Sequence, residues 1–488
     1  MKKLKYLIII PVILVQAACS EWMELLPPEG LTREHFWKNK EEVESVLMGA
    51  YEAFRSMDGH LFKLGELRAD MIADGGNMSW NDRRIMNGNI HPDNGITNWN
   101  RFYQVINYCN EVIANAGKVQ EIDDTFTDFQ LQGYLAEAYF LRSLSYFYLV
   151  RVYKDVPLIM HPTESDESEL YVSKTDGDVV LDHITNDLKT FRTFAPVEGY
   201  RTVTENKGRA TRAAYDALLA DIALWQFDYE AVISHVQRIE AADNHLLLFS
   251  NRWFELFSPG NTAESIFELQ FDDNLNQQNS LYGMTNRNAN NFDPSQVAIQ
   301  MFGKLHAREL YRGEDASIRR YGEGEYIIWK YVGMVGDGST TRPGFLQHSA
   351  NFIIYRYADV LLMKAEALSQ LGRFQEALDI INRIRDRADV PPISLPNSEV
   401  AYEDAILEER AREFAYEGKR WFDLLRMGRR NNYARKNVLI NILVSNVPST
   451  QKRILSMKLN NPMGWYFPIY ESEIERNKNL EQNPYYDY

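Results

Sequence analysis

Residues 404–426, DAILEERAREFAYEGKRWFDLLR, constrain the fold of this chain more than any other stretch. Leu407, Ala411 and Phe414 recur at i, i+4 and i+7, the spacing of one side of an α-helix. Gly418 supplies a stop, because glycine enters the left-handed conformation after a helix at little cost. Trp421, Leu424 and Leu425 then begin a second apolar face. The opposite side of the first helix carries Glu409, Glu413 and Glu417, like charges four residues apart. Each such pair destabilises an isolated helix by roughly a few tenths of a kcal/mol. A folded chain keeps that stripe only with cations opposite it, and Lys419 and Arg420 follow at once. The block predicts a helical hairpin fixed by a charge network.

Helical periodicity recurs elsewhere. Residues 32–57 place Phe36, Val43, Val46, Leu47, Tyr51 and Phe54 on one face, and Asn100 to Ala116 does the same through Tyr103, Ile106 and Ile113. Residues 133–153 are rich in Tyr, Phe and Leu on nearly all sides, which predicts a buried central helix. Residues 355–388 resemble a tetratricopeptide unit. Ala365, Leu368, Ala377, Ile381 and Ile384 take the interlocking positions of two helices, and Gly372 makes the turn. A weaker echo runs through 213–239, with Leu218, Ala220 and Leu224 before Tyr229, Ala231 and Val232. One such unit cannot bury its own apolar face, so several must stack. The fold class expected is mainly α, a tetratricopeptide-like helix-pair scaffold over about 32–57, 100–239 and 353–430. Residues 60–98 read as irregular, with frequent Gly, Asn and Asp and no apolar spacing.

The chain begins MKKLKYLIIIPVILVQAA, three lysines followed by a short apolar run from Tyr6 to Val15. That run is too short to span a bilayer and suits a signal peptide over residues 1–18. Cys19 follows two alanines, as at a lipoprotein cleavage site, which makes it the candidate lipidated N-terminus of a mature chain 19–488. If Cys19 is lipidated, Cys109, the second of the two cysteines, has no partner in the chain; within VINYCNEVI it reads as a small core residue. The formal charge of −15 argues against nucleic acid and anionic lipid headgroups as partners, since both select basic patches.

No catalytic constellation is evident. The sequence holds no H-E-x-x-H, no G-x-S-x-G and no G-x-x-x-x-G-K-[ST], and its nine histidines lack metal-ligand spacing. Gly322-Glu-Gly324 and Gly336-Asp-Gly338 read as turns, and Asp272-Asp273-Asn274 as a solvated loop rather than a calcium site. No cofactor or metal is expected, and the chain is read as a binding protein rather than an enzyme. Sugar binding needs exposed aromatic faces beside planar polar groups that pair with hydroxyls. The 28 tyrosines and nine tryptophans supply the first, although Trp99, Trp421 and Trp465 read as core.

Five blocks also carry a family resemblance. They are GYLAEAYFLRSLSYFYLVRVYKDVPL (133–158), KGRATRAAYDALLADIALW (207–225), the unit at 355–388, the hairpin at 404–426 and the tail YFPIYESEIERNKNLEQNPYY (466–486). In this order and spacing the chain resembles the SusD/RagB family, the outer-membrane nutrient-binding lipoproteins of Bacteroidota. The resemblance implies a helix-pair scaffold bearing an irregular ligand lobe, here about 60–98 and 240–352, with short strands such as SIFELQF (265–271) and EYIIWKY (325–331). It implies a lipid-anchored protein at the outer membrane, facing the cell exterior. It implies a glycan or oligosaccharide ligand, and a SusC-like TonB-dependent transporter as the partner that receives it. A peptide cargo is the alternative, and a glycan-degrading enzyme a third reading. The family usually places binding residues in the loop matching NMSWNDRR (77–84), which offers Trp80, Asn81 and Arg83. Residues 279–292 offer Tyr282, Asn286, Arg287 and Asn290, and Trp329 is placed on the 325–331 strand. Arg142, Glu413 and Arg420 are read as internal ion pairs.

Overall fold

A computed structural model describes residues 36–163, 171–303, 309 and 311–487. The leader at 1–18 and Cys19 lie outside the described residues. The chain is a mainly helical scaffold carrying a lobe of loops and short strands. In order the elements are α1 (Lys40–Arg55), α2 (Asp58–Glu66), β1 (Ile72–Asp74), α3 (Trp80–Met86), α4 (Asn100–Gln120) and α5 (Asp128–Tyr153). Next come β2 (Val156–Pro157), β3 (Lys174–Thr175), α6 (Gly177–Phe191), α7 (Val203–Gly208), α8 (Arg212–Trp225) and α9 (Tyr229–Ala242). The lobe adds β4 (Ser265–Leu269), α10 (Leu281–Thr285), β5 (Phe292–Pro294), α11 (Gln296–Phe302), β6 (Ile318–Arg320) and β7 (Tyr326–Ile328). The chain then returns through β8 (Phe352–Arg356), α12 (Tyr357–Gln370), α13 (Phe374–Arg387), α14 (Glu399–Glu413), α15 (Arg420–Tyr433), α16 (Lys436–Ser445), α17 (Ser449–Leu459) and α18 (Glu471–Arg476).

Helices pair as the apolar spacing predicts. α4 packs on α5, α8 on α9 and α12 on α13, while α9 and α14 both pack on α12 and so join successive pairs. Ala365, Leu368, Ala377, Ile381 and Ile384 are fully buried between α12 and α13, and Gly372 turns the chain at φ +72°. α5 is buried on every side from Phe140 to Tyr153, and its start is closed by a capping box between Thr127 and Gln130. Cys109 lies fully buried in α4, and burial pushes its thiol up to about 12. Trp99, Trp421 and Trp465 belong to the core.

The charge network is present, but its cations are not the expected ones. Lys419 reaches Asp359 at 2.7 Å and Arg420 reaches Asp70 at 2.8 Å. Glu413 is met instead by Arg312 at 2.7 Å, Arg356 at 2.6 Å and Arg387, and Glu417 by Lys330 at 2.9 Å and Arg356 at 3.0 Å. Glu264 joins from the residue before β4, 2.7 Å from Arg356. Burial raises the Glu413 carboxyl, but Arg387, Arg356 and Arg312 outweigh it and hold Glu413 well below the usual carboxylate range. The hub joins α13, α14, β8 and the lobe at one buried point. The first helix of the hairpin also ends at Glu413, ahead of the predicted stop at Gly418. Its last carbonyl is taken by the Arg356 guanidinium at 2.7 Å, and Tyr416 and Gly418 both have positive φ in the connecting loop.

Residues 60–98 are less irregular than the composition predicts. α2 buries Leu61, Phe62 and Leu64 and packs against α15, so it belongs to the scaffold. Its glycines serve close approach rather than turns: a Cβ on Gly65 would lie 1.8 Å from the Gly418 carbonyl oxygen. α3 is a second unexpected helix, started by the Ser79 hydroxyl accepting from the Asp82 N–H at 3.1 Å.

Candidate ligand cleft

The two lobe segments meet where β1 pairs antiparallel with β5, Ala73 facing Asp293. The loop before β5 is latched to the chain leaving β1. Asn290 Nδ2 donates to the Gly75 carbonyl, and the Asn77 N–H donates to the Asn290 carbonyl at 3.0 Å. A Cβ on Gly75 would fall 2.5 Å from that Asn290 oxygen, so only glycine permits the contact.

Beside this joint opens a cleft of about 530 Å³, lined by Asp74, Asp293, Glu325, Arg287, Tyr321 and Tyr326 among others. The Arg287 guanidinium lies 5.0 Å from the centre of the exposed Tyr321 ring and 3.8 Å from Glu325. Asp74 accepts from Arg83 Nε at 2.5 Å and from the Gly76 N–H at 2.9 Å. Burial raises the Asp74 carboxyl, but these bonds outweigh it and hold Asp74 below the usual carboxylate range. Asp293 shows the reverse: burial, then the nearby charges of Asp74 and Glu325, push it up to about 6. The cleft therefore combines an accessible tyrosine face, a planar cation and several carboxylate acceptors. That set can stack on a flat ring and pair with hydroxyls.

The candidates from sequence divide. Arg287 lines the cleft, and Arg83 stands behind its wall through Asp74. Trp80 is 69% exposed and opens α3, one helical turn before Arg83 on the same side. It stands in a helix, not in the expected loop, and the helix aims its ring at solvent. Asn81 is exposed, and its carbonyl accepts from Asn94 Nδ2 at 3.1 Å. Tyr282 is half-buried with its ring edge-on to His348 at 5.5 Å, and Asn286 spends its side chain on the Asn288 and Ala289 N–H groups at 2.9 and 3.0 Å. Trp329 is a correction. The strand ends at Ile328, and Trp329 is 2% exposed with Nε1 donating to the Val335 carbonyl at 3.0 Å, so it is core. Tyr321, Asp74, Asp293 and Glu325 were not singled out from sequence, because the β1–β5 pairing that gathers them leaves no local signal. Clefts of about 480 Å³ beside Phe254 and Tyr311, and about 400 Å³ beside Trp99 and Tyr103, include none of the candidates.

Comparison with known proteins places these features in context. A model for the SusD family matches residues 304–486, and one described as starch-binding associating with outer membrane matches residues 21–224. The chain is similar to SusD-like protein P38 of Formosa agariphila, 26% identical over 99% of this chain and 100% of that one. A SusD-like protein of Bacteroides ovatus is 23% identical over 87% of this chain and 82% of that one. Among solved structures, a SusD superfamily protein from Bacteroides vulgatus aligns with a TM-score of 0.75 at 20% identity, covering 92% of this chain and 100% of that one. A laminarin-binding SusD-like protein aligns with a TM-score of 0.73 at 22% identity, covering 92% and 99%.

Proposed function

Because this chain belongs to the SusD/RagB family, we propose that it binds a glycan or oligosaccharide in the cleft between β1, β5 and β7 and delivers it to a partner TonB-dependent outer-membrane transporter. The observation that carries the reading is the Tyr321–Arg287 stack beside Asp74, Asp293 and Glu325 in an open cleft. A laminarin-binding protein of the same fold supports a glycan as cargo. Trp80, exposed at the start of the helix tied to Asp74, supplies a second stacking face. The protein acts by holding its ligand, not by cleaving it.

The anchor completes the reading. Residues 1–18 are removed as a signal peptide, and acylated Cys19 holds the protein at the outer membrane, facing the exterior. Among the described residues, no helix is long and apolar enough to cross a membrane. The family model's association with the outer membrane supports this placement. Tethering both proteins to one membrane makes capture and import effectively intramolecular. Isothermal titration of a glycan panel against wild type and Tyr321→Ala tests the site. We expect at least one glycan to bind and the variant to weaken it about five-fold or more. Unchanged affinity rejects the site, and release of reducing ends by the purified protein rejects the non-enzymatic reading.

A further inference from the structure

The cleft is unevenly charged. Asp74 is matched by Arg83 at 2.5 Å, and Glu325 faces Arg287 at 3.8 Å with both side chains exposed. Asp293, on β5 of the joint, has no ion-pair partner among the described residues. The charges facing it come from Asp74 on β1 and Glu325 ahead of β7. The neighbouring Asn290, Gln296, Tyr321 and Tyr326 are neutral, which leaves Arg287 as the lone cation among the lining residues. An anionic substituent entering here meets the half-buried carboxylate of Asp293 and the exposed one of Glu325, and the one arginine already faces Glu325 at 3.8 Å. A hydroxyl meets the opposite condition, because ionised carboxylates accept hydrogen bonds strongly and in pairs.

We infer that the cleft selects uncharged glycan segments, its carboxylates accepting hydroxyls from a ring stacked on Tyr321, and turns away glycans bearing uronate, sulfate or other anionic groups. This rests on the glycan reading above and narrows its substrate class. Like-charge juxtaposition is an effective way to reject a wrong ligand, and salt weakens it wherever solvent reaches.

The test uses the soluble mature chain with Cys19 replaced by serine. Uncharged hexasaccharides of β-1,3-glucan, β-1,4-glucan, α-1,4-glucan, β-mannan and β-xylan are titrated beside their carboxymethylated counterparts, at low and high salt. We expect an uncharged member to bind and its carboxymethylated form to bind about ten-fold or more weakly, a gap that narrows as salt rises. E325Q, at an exposed position where folding is not at stake, should narrow it at low salt, and D293N should narrow it further. Equal or tighter binding of the carboxymethylated form at low salt, or a gap indifferent to both variants, overturns the charge selection and leaves glycan binding standing. Silence from every glycan of either charge, with a folded protein by circular dichroism, overturns the glycan reading and this inference with it.

Discussion

Two clusters of acidic side chains, the buried hub and the open cleft, have opposite physical outcomes. At the hub, Glu413, Glu417 and Glu264 are fully buried, and Arg312, Lys330, Arg356 and Arg387 surround them at hydrogen-bond distance. In the cleft, Asp293 and Glu325 sit beside open space with a single arginine near. Buried charges must be compensated inside the fold, because leaving one unpaired costs several kcal/mol. Carboxylates at a cleft edge can remain uncompensated, because water or a ligand completes them. The lesson concerns where charge is satisfied: within the chain at the hub, and from outside at the cleft. It separates residues that hold the scaffold to the lobe from residues free to bind.

Breaking the hub should have the largest effect. Glu413→Gln leaves Arg312, Arg356 and Arg387 short of a counter-charge in a dry interior, and the expected loss is about 3–5 kcal/mol of stability, read from the denaturant midpoint. A loss below about 1 kcal/mol removes the distinction between the two clusters. Next in size is Trp80→Ala, expected to weaken glycan binding by about 1–3 kcal/mol in isothermal titration. Its stability should stay within about 0.5 kcal/mol of wild type, because the ring is exposed. A destabilised variant with normal affinity reverses that assignment. The smallest effect is expected at Asp293→Asn, which should raise stability above pH 6 by about 1 kcal/mol, screening at this partly open site included.

The pH dependence sharpens the contrast, because the two acids carry opposite signs. Asp293 is raised to about 6 in the fold, so the native state holds its proton longer than the unfolded chain does. Its contribution to stability therefore falls as pH rises from about 4 through 6. Glu413 is depressed, so its contribution is complete above about pH 4.3 and is lost only as pH falls through its lowered range. The advantage of Asp293→Asn should accordingly vanish below about pH 4, while the deficit of Glu413→Gln should persist from neutral pH down to that point.

How much of this was legible in the sequence follows from the range of each interaction. Helix pairs were, because Ala365, Leu368, Ala377, Ile381 and Ile384 write their packing into a local period. α2 was hidden because Gly59 and Gly65 look like turn residues, and only the approach of Gly418 explains the second. α3 had a readable signal, Ser79 three residues before Asp82, lost among neighbouring glycines and asparagines. The glutamate stripe announced a need for cations but not their identity, since Arg312 and Arg356 arrive from distant segments. The candidate cleft was legible at Arg287 and Asn290, singled out within the polar segment 279–292. It was invisible at Asp74, Asp293, Tyr321 and Glu325, which only the β1–β5 pairing and its contact with β7 bring together. Trp329 misled because alternation along EYIIWKY does not reveal that the strand ends at Ile328.

The most direct test of the central claim is a crystal structure of the mature protein with the tightest-binding oligosaccharide from the panel. The account predicts a sugar ring stacked on Tyr321 beside Arg287, with ring hydroxyls donating to Asp293 or Glu325. A ligand seated instead in the cleft beside Trp99 and Tyr103, with the Tyr321 cleft holding only solvent, would contradict it.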